Sequence, residues 1–217
     1  MNNYVFQNIE LVIFDMDGTI FDTERLGFKG WQHAFAYFDY DVPIEILKKK
    51  IGLNSKDSKN LIQQYMGSDF DYTSIKEEKR NFVRNYIDIN GTPIKSGIIS
   101  VLDLLDLLGI KKAIATSRGH TMANYYIDKS NLRDRFDLIV TGDMVNKGKP
   151  NPDIFLKTSE ILNVSNDKCL VIEDSPNGIE AGKRACMTTI MIPDLIKPNS
   201  ILMKKVDYLF DSLNDLL

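Results

Sequence analysis

Short unbroken apolar runs, each ending in a polar or acidic residue, recur along the chain. Leu11-Val12-Ile13-Phe14 ends at Asp15, Ala113-Ile114-Ala115 at Thr116, and Leu138-Ile139-Val140 at Thr141. Cys169-Leu170-Val171-Ile172 ends at Glu173-Asp174, and Ile190-Met191-Ile192 at Pro193. Runs that are apolar on both faces predict the strands of a parallel sheet covered on two sides. Helical patterns lie between them. Residues 97–108 carry Ile98, Val101, Leu102, Leu104, Leu105 and Leu108, with Gly109 as a stop. Asn151-Pro152-Asp153 opens a second helix, and Ser175-Pro176 a third, with Ser as N-cap and Pro in the first turn. Strand–helix–strand alternation of this kind predicts right-handed crossovers and a doubly wound α/β sheet.

Residues 22–92 break the rhythm, with no strand pattern and four helical ones. Phe28, Trp31, Phe35 and Phe38 recur at helical spacing. Pro43 to Lys50 reads as a short helix stopped by Gly52, and Ser55 as the cap of a helix through Tyr65. Ser74 with Glu77 forms a capping-box pattern before a helix to Ile89. The expected organisation is an α/β core of residues 1–21 and 93–217, interrupted by a helical unit of residues 22–92. Gly27 and Gly30 sit inside the first helical pattern, where each costs about 1 kcal/mol relative to Ala. They imply either a close approach there or a helix that begins later.

Composition narrows the function classes. The 217 residues carry a net charge of −3, so no overall basic field gathers nucleic acid or an anionic membrane. An anionic small substrate would need local positive charge or a metal. The two cysteines, Cys169 and Cys186, make no disulfide framework, and neither has a His at zinc-ligand spacing. The N-terminal MNNYVFQNIE lacks the pattern of a signal peptide, and no stretch of eighteen apolar residues occurs. The expectation is a cytoplasmic monomer with no membrane or nucleic-acid partner.

The chemistry gathers at the strand ends. Asp15-Met16-Asp17-Gly18-Thr19 follows the first apolar run. Ordinary residue frequencies give D-x-D-G-T at roughly one start in 10⁵. Two carboxylates this close repel unless a cation lies between them, and hard oxygen ligands favour magnesium. The alternative is a solvated turn with an Asp cap. Thr116 and Ser117 precede a helix from about His120, where a hydroxyl and backbone N–H groups suit phosphate oxygens or simply cap the helix. Lys149, before Pro150, is placed to offer a point charge to phosphate or to remain a solvated loop residue. Glu173 and Asp174 end an apolar strand, where a buried sheet tolerates them poorly without a partner, although Asp174 or Ser175 also serves as an N-cap. The C-terminal edge of an open α/β sheet is where ligands bind. A strand order of 3-2-1-4-5 would bring Asp15 beside Glu173 and Asp174 at the switch point.

Together these residues resemble the haloacid dehalogenase-like hydrolase superfamily over essentially the whole chain. Its four motifs stand in order as Asp15-Met16-Asp17-Gly18-Thr19, Thr116, Lys149-Pro150 and Glu173-Asp174. The resemblance implies a Rossmann-like core with strand order 3-2-1-4-5 and a four-helix cap of the first type. It implies Asp15 as nucleophile, Asp17 as general acid and base, and Thr116, Ser117 and Lys149 as phosphate ligands. Magnesium would be held by Asp15, the backbone carbonyl of Asp17, Asp174, and Glu173 directly or through water. The family reads substrates partly through a cap loop, here Gly52 to Lys56, so Asn54 and Ser55 are candidate substrate contacts, with Arg118 a further one. Dehalogenases of the superfamily lack the second Asp, so Asp17 argues for phosphate chemistry.

The expected function is therefore hydrolysis of a small phosphorylated metabolite. A phosphosugar mutase is the runner-up. Beta-phosphoglucomutases carry a cap His and a cap-loop Arg, and those positions fall on Gly27 and Ser55 here. A catalytically silent phosphate-binding module is the third reading. The two His residues, His33 and His120, are read as a cap-helix surface residue and a helix-start residue.

Overall fold

The computed structural model describes residues 3–50, 55–67, 70–195 and 198–217. The chain divides into two compact units, one of Met1–Asp22 with Thr92–Leu217 and one of Thr23–Gly91.

The first unit is an α/β domain. Its strands are β1 (Leu11–Phe14), β2 (Lys111–Ala115), β3 (Leu138–Val140), β4 (Cys169–Glu173), β5 (Thr188–Met191) and β6 (Tyr208–Leu209). They form one parallel sheet in the order β3-β2-β1-β4-β5-β6. The expected 3-2-1-4-5 order is present, and β6 extends it at the edge. Two residues are too few to show a period, so β6 leaves no signal in the sequence.

Strand β1 is fully buried along its length because it lies centrally, between β2 and β4. Its alternation splits the core in two. Leu11 and Ile13 join Ala113, Ala115, Cys169, Val171 and Phe155 in one apolar layer. Val12 and Phe14 point to the other face. The register sets Phe14 opposite Ile114 and Ile172, so β1, β2 and β4 run out at a common edge.

The crossover helices follow from their apolar stripes and caps. The second unit holds the first four helices, so those of the α/β domain begin at α5 (Ile98–Leu108), which ends at Gly109 with φ +68, the left-handed stop expected there. Next come α6 (His120–Ser130), α7 (Asp153–Leu162), α8 (Pro176–Arg184) and the short α9 (Ser200–Met203). Ser175 caps α8 by accepting from the Gly178 N–H at 3.1 Å, with Pro176 in the first turn, as the sequence indicates.

The second unit is all helical: α1 (Thr23–Tyr37), α2 (Ile44–Lys48), α3 (Ser55–Met66) and α4 (Tyr72–Asn90). Ala34, Phe35, Leu47, Ile62, Phe70, Tyr72 and Ile75 form its core, with Phe28 and Trp31 packed against them. Gly27 and Gly30 both lie within α1, so the helix does not begin late. A methyl on Gly30 would press on Val83 and on the Lys79 carbonyl of α4, which explains the helix-weakening residue as a close approach.

The start of α4 differs from the capping box expected at Ser74 and Glu77. Asp71 is the cap instead, accepting from the N–H groups of Thr73 and Ser74 at 3.0 and 3.2 Å. Its carboxylate also takes the Ser74 hydroxyl at 2.6 Å, so Ser74 supports the cap rather than being it. Gly52, Leu53 and Asn54 lie outside the described residues, as do the side chains of Ser55 and Lys56.

Candidate active site

The edge where β1, β2 and β4 end collects the acidic and basic residues. Asp15 follows β1 directly, and its N–H donates to the Ile172 carbonyl at 2.9 Å, so the β1–β4 ladder continues into the site. Asp15 is 8% exposed and Glu173 1% exposed, at the end of β4. Carboxylate oxygens of Asp15, Glu173 and Asp174 lie within 4.8 Å of one another. Three acids gathered there, two of them buried, require compensating positive charge.

Lys149 supplies part of it. Its ammonium donates to Asp15 Oδ1 at 2.5 Å, to Glu173 Oε1 at 2.7 Å and to the Ala115 carbonyl at 3.0 Å. All three N–H donors are thus used, on the ends of β1, β4 and β2. The loop reaching this point ends in a cis Lys149–Pro150 bond. Burial alone would lower the Lys149 pKa, but Asp15 and Glu173 more than reverse that and hold it above its ordinary value. Burial pushes Asp15 up, Lys149 pulls it back, and Glu173 and Asp17 push it up again, to about 7. One ammonium does not neutralise three carboxylates, and the surplus negative charge suits a bound cation.

Glu173 is held on both oxygens. Oε2 accepts from the N–H groups of Asp174 and Ser175 at 3.0 and 2.8 Å and from the Ser175 hydroxyl at 2.8 Å. The first turn of α8 rests on this carboxylate so closely that a Cβ on Gly178 would collide with it. Asp174, half-buried, packs against the loop after β1. Gly18 there has φ +83, and a Cβ on it would run into the Asp174 carboxylate. The Gly in D-x-D-G-T is therefore required twice, by backbone conformation and by space.

Thr116 is 1% exposed at the end of β2. Its hydroxyl oxygen accepts from the Arg118 N–H at 3.1 Å, which leaves its own O–H to donate elsewhere. Ser117 beside it is exposed. Asp17 stands apart from the acidic trio. Both its oxygens take the guanidinium of Arg118, Oδ2 from Nε at 2.6 Å and Oδ1 from Nη2 at 2.8 Å. Spacing along the chain does not reveal this contact, because it joins residues 101 positions apart. Of the two histidines, His33 belongs to the helical unit, where it pairs with Glu78 at 3.1 Å and stacks on Phe82. His120 begins α6, and its N–H donates to Asp143.

The trio contains no His or Cys, only carboxylate oxygen, which is the donor chemistry of a hard divalent ion rather than zinc. Asp15 and Asp174 fit such an ion as direct ligands. Glu173, already held by Lys149 and by the N–H groups of Asp174 and Ser175, fits as the group that orients them.

Residues 12–192 match the family model of the haloacid dehalogenase-like hydrolases. Among curated relatives, a phosphorylated carbohydrates phosphatase of Thermotoga maritima is 30% identical over 181 residues, covering 82% of each chain. A beta-phosphoglucomutase of Bacillus subtilis is 29% identical, covering 84% of this chain and 82% of its own. Among solved structures, a Thermotoga maritima protein provisionally described as a beta-phosphoglucomutase superposes with a TM-score of 0.84 at 26% identity. That match covers 96% of this chain and 97% of the other.

Proposed function

The chain belongs to the haloacid dehalogenase-like hydrolases, and from that premise we propose that it is a magnesium-dependent phosphatase of small phosphorylated metabolites. It works through an aspartyl-phosphate on Asp15. The observation that carries this reading is the buried Asp15–Lys149–Glu173 bridge beside Asp174. A carboxylate approaches a phosphate dianion only where its own charge is neutralised, and the Lys149 ammonium on Asp15 supplies that neutralisation.

In the first half, an Asp15 oxygen attacks phosphorus. A new Asp15–phosphorus bond forms as the ester oxygen departs, and that oxygen takes a proton from Asp17. In the second half, Asp17 accepts a proton from water as the water oxygen attacks phosphorus. Phosphate leaves and Asp15 is restored. Lys149 and the Thr116 hydroxyl hold phosphoryl oxygens, with the exposed Ser117 contributing from the turn. Asp15, Asp174 and the Asp17 carbonyl would hold a magnesium ion, which when bound would supply Lewis-acid neutralisation of the phosphoryl charge. The helical unit, residues 22–92, acts as a cap, with Asn54 and Ser55 in its substrate loop.

The similarity to phosphatases of phosphorylated carbohydrates makes sugar phosphates the first substrate class to test. A mutase reading has relatives of the same rank, yet Gly27 offers no imidazole to a second sugar hydroxyl.

The test is hydrolysis of p-nitrophenyl phosphate by wild type and Asp15→Asn, each with Mg²⁺ and with EDTA. Turnover that disappears in EDTA and falls at least about a thousand-fold in Asp15→Asn is expected. Equal turnover in either control would remove the aspartyl-phosphate reading. Transfer of phosphate between sugar positions, with none released, would favour the mutase.

A further inference from the structure

Asp17 has a partner that the proposed chemistry does not yet use. Arg118 grips it with two parallel hydrogen bonds, at 2.6 and 2.8 Å. This fork fixes both the position and the plane of a carboxylate, which a single lysine contact does not.

Arg118 is itself held in place. Its N–H donates to the Thr116 hydroxyl at 3.1 Å, and its carbonyl accepts from Gly142 at 2.7 Å. Its guanidinium carbon lies 4.5 Å from the centroid of the Tyr126 ring. Tyr126 is 5% exposed on α6, and its carbonyl takes the buried Thr92 hydroxyl at 2.7 Å. The guanidinium is therefore backed by an aromatic face whose helix is anchored, and its backbone is clamped to the β2 and β3 loops. Side chains held in this way transmit their position to whatever they grip.

We infer that Arg118 is a positioning residue that sets the Asp17 carboxylate for proton transfer to the leaving oxygen. This rests on the reading of Asp17 as general acid and base. The alternative assignment, a grip on substrate, places Arg118 on the phosphoryl group or the leaving group directly. The two differ in how the loss of Arg118 depends on the leaving group and on Asp17.

The experiment compares p-nitrophenyl phosphate with benzyl phosphate. Nitrophenolate departs as a stable anion without a proton, whereas a benzyl alkoxide needs one. The specificity constant kcat/KM reports the phosphorylation half only. Arg118→Ala is expected to lower kcat/KM for benzyl phosphate by about 10²-fold, within the span of general acid catalysis, and for p-nitrophenyl phosphate by less than about threefold. Arg118→Lys, which keeps the charge and loses the fork, should recover only a minor part for benzyl phosphate. In an Asp17→Asn background, Arg118→Ala should add less than about twofold, because both changes remove one function.

Equal losses on both substrates would overturn the inference in favour of a phosphate grip. Additive losses in the Asp17→Asn background would overturn it too. Thermal melts of each variant separate these outcomes from loss of folding. If Asp17→Asn itself keeps full benzyl phosphate turnover, the general-acid role of Asp17 falls. If it loses turnover while Arg118→Ala does not, only the inference about Arg118 falls.

Discussion

Two enclosed lysines, Lys149 in the α/β unit and Lys50 in the helical one, are driven in opposite directions. Lys149, its side chain 5% exposed, sits among Asp15, Glu173 and the Ala115 carbonyl, and its proton is held above the ordinary lysine range. Lys50, 7% exposed, sits in the helical unit over the Trp31 ring, 3.5 Å from its centroid. Its ammonium donates to the Tyr72 hydroxyl at 3.4 Å, itself 3.2 Å from Ser58. Burial first, then the nearby charges of Lys79 and Lys76, lower its pKa to about 7. Burial penalises both ammonium groups, so what differs is the company: two carboxylates in one case, aromatic faces and like charges in the other. Depth in the fold alone therefore says nothing about charge state.

The sharpest way to break this comparison is to remove the paired lysine. Lys149→Met leaves Asp15 and Glu173 facing each other without a cation. Phosphate release should fall by about 10²–10³-fold. Chemical denaturation should show a loss of about 3–5 kcal/mol, the usual consequence of breaking a buried pair on one side. A variant with wild-type stability would mean that the bridge is less tightly coupled than its distances indicate.

The same substitution in the other unit should act in reverse. Lys50→Met removes a charge that has no carboxylate at hand among the described residues, and stability at pH 6 should rise by about 1–3 kcal/mol. The pH dependence has a definite sign. The unfolded chain keeps the Lys50 proton up to the ordinary lysine value of 10.5, whereas the folded chain releases it at about 7. Between those values unfolding takes up a proton, so stability rises with pH across that window in wild type. Below about pH 7 both states carry the proton and the cost of the buried charge is present in full. Denaturation of Lys50→Met at pH 6 and pH 9 should show that rise flattened. A rise unchanged from wild type would assign it to another group.

The smallest effect belongs to the surface of the helical unit. His33 pairs with Glu78 at 3.1 Å and stacks on Phe82, with its side chain 42% exposed. His33→Ala should cost less than about 1 kcal/mol in a thermal melt, as exposed pairs do. Under the phosphatase reading, kcat/KM for p-nitrophenyl phosphate should stay as in wild type.

Much of the core was legible from periodicity. The runs at Leu11 and Cys169 start their strands at the residues expected, because a central parallel strand buried on both faces has no polar position to blur its limits. Edges were less legible. The run at Ile190–Ile192 became Thr188–Met191, since Thr189 is fully buried while its hydroxyl is satisfied by Asp207. The start of α4 moved to Asp71 because an acidic side chain satisfies two orphan N–H groups at once.

What the sequence determined by itself was the identity and chain order of the reactive groups, with strand ends as their address. The D-x-D-G-T run, Thr116 and Glu173-Asp174 each follow an apolar run, and that placement comes from local hydrophobicity alone. Only the tertiary structure decided who pairs with whom. Lys149 meets Asp15 across 134 positions, and Arg118 meets Asp17 across 101. Such pairings depend on the side-by-side registry of β2, β1 and β4, and on the close approach of the α8 turn that Gly178 permits. The fate of the two buried lysines was decided in the same way. A pKa is set by neighbours within a few ångströms, and a linear chain does not state which residues those will be.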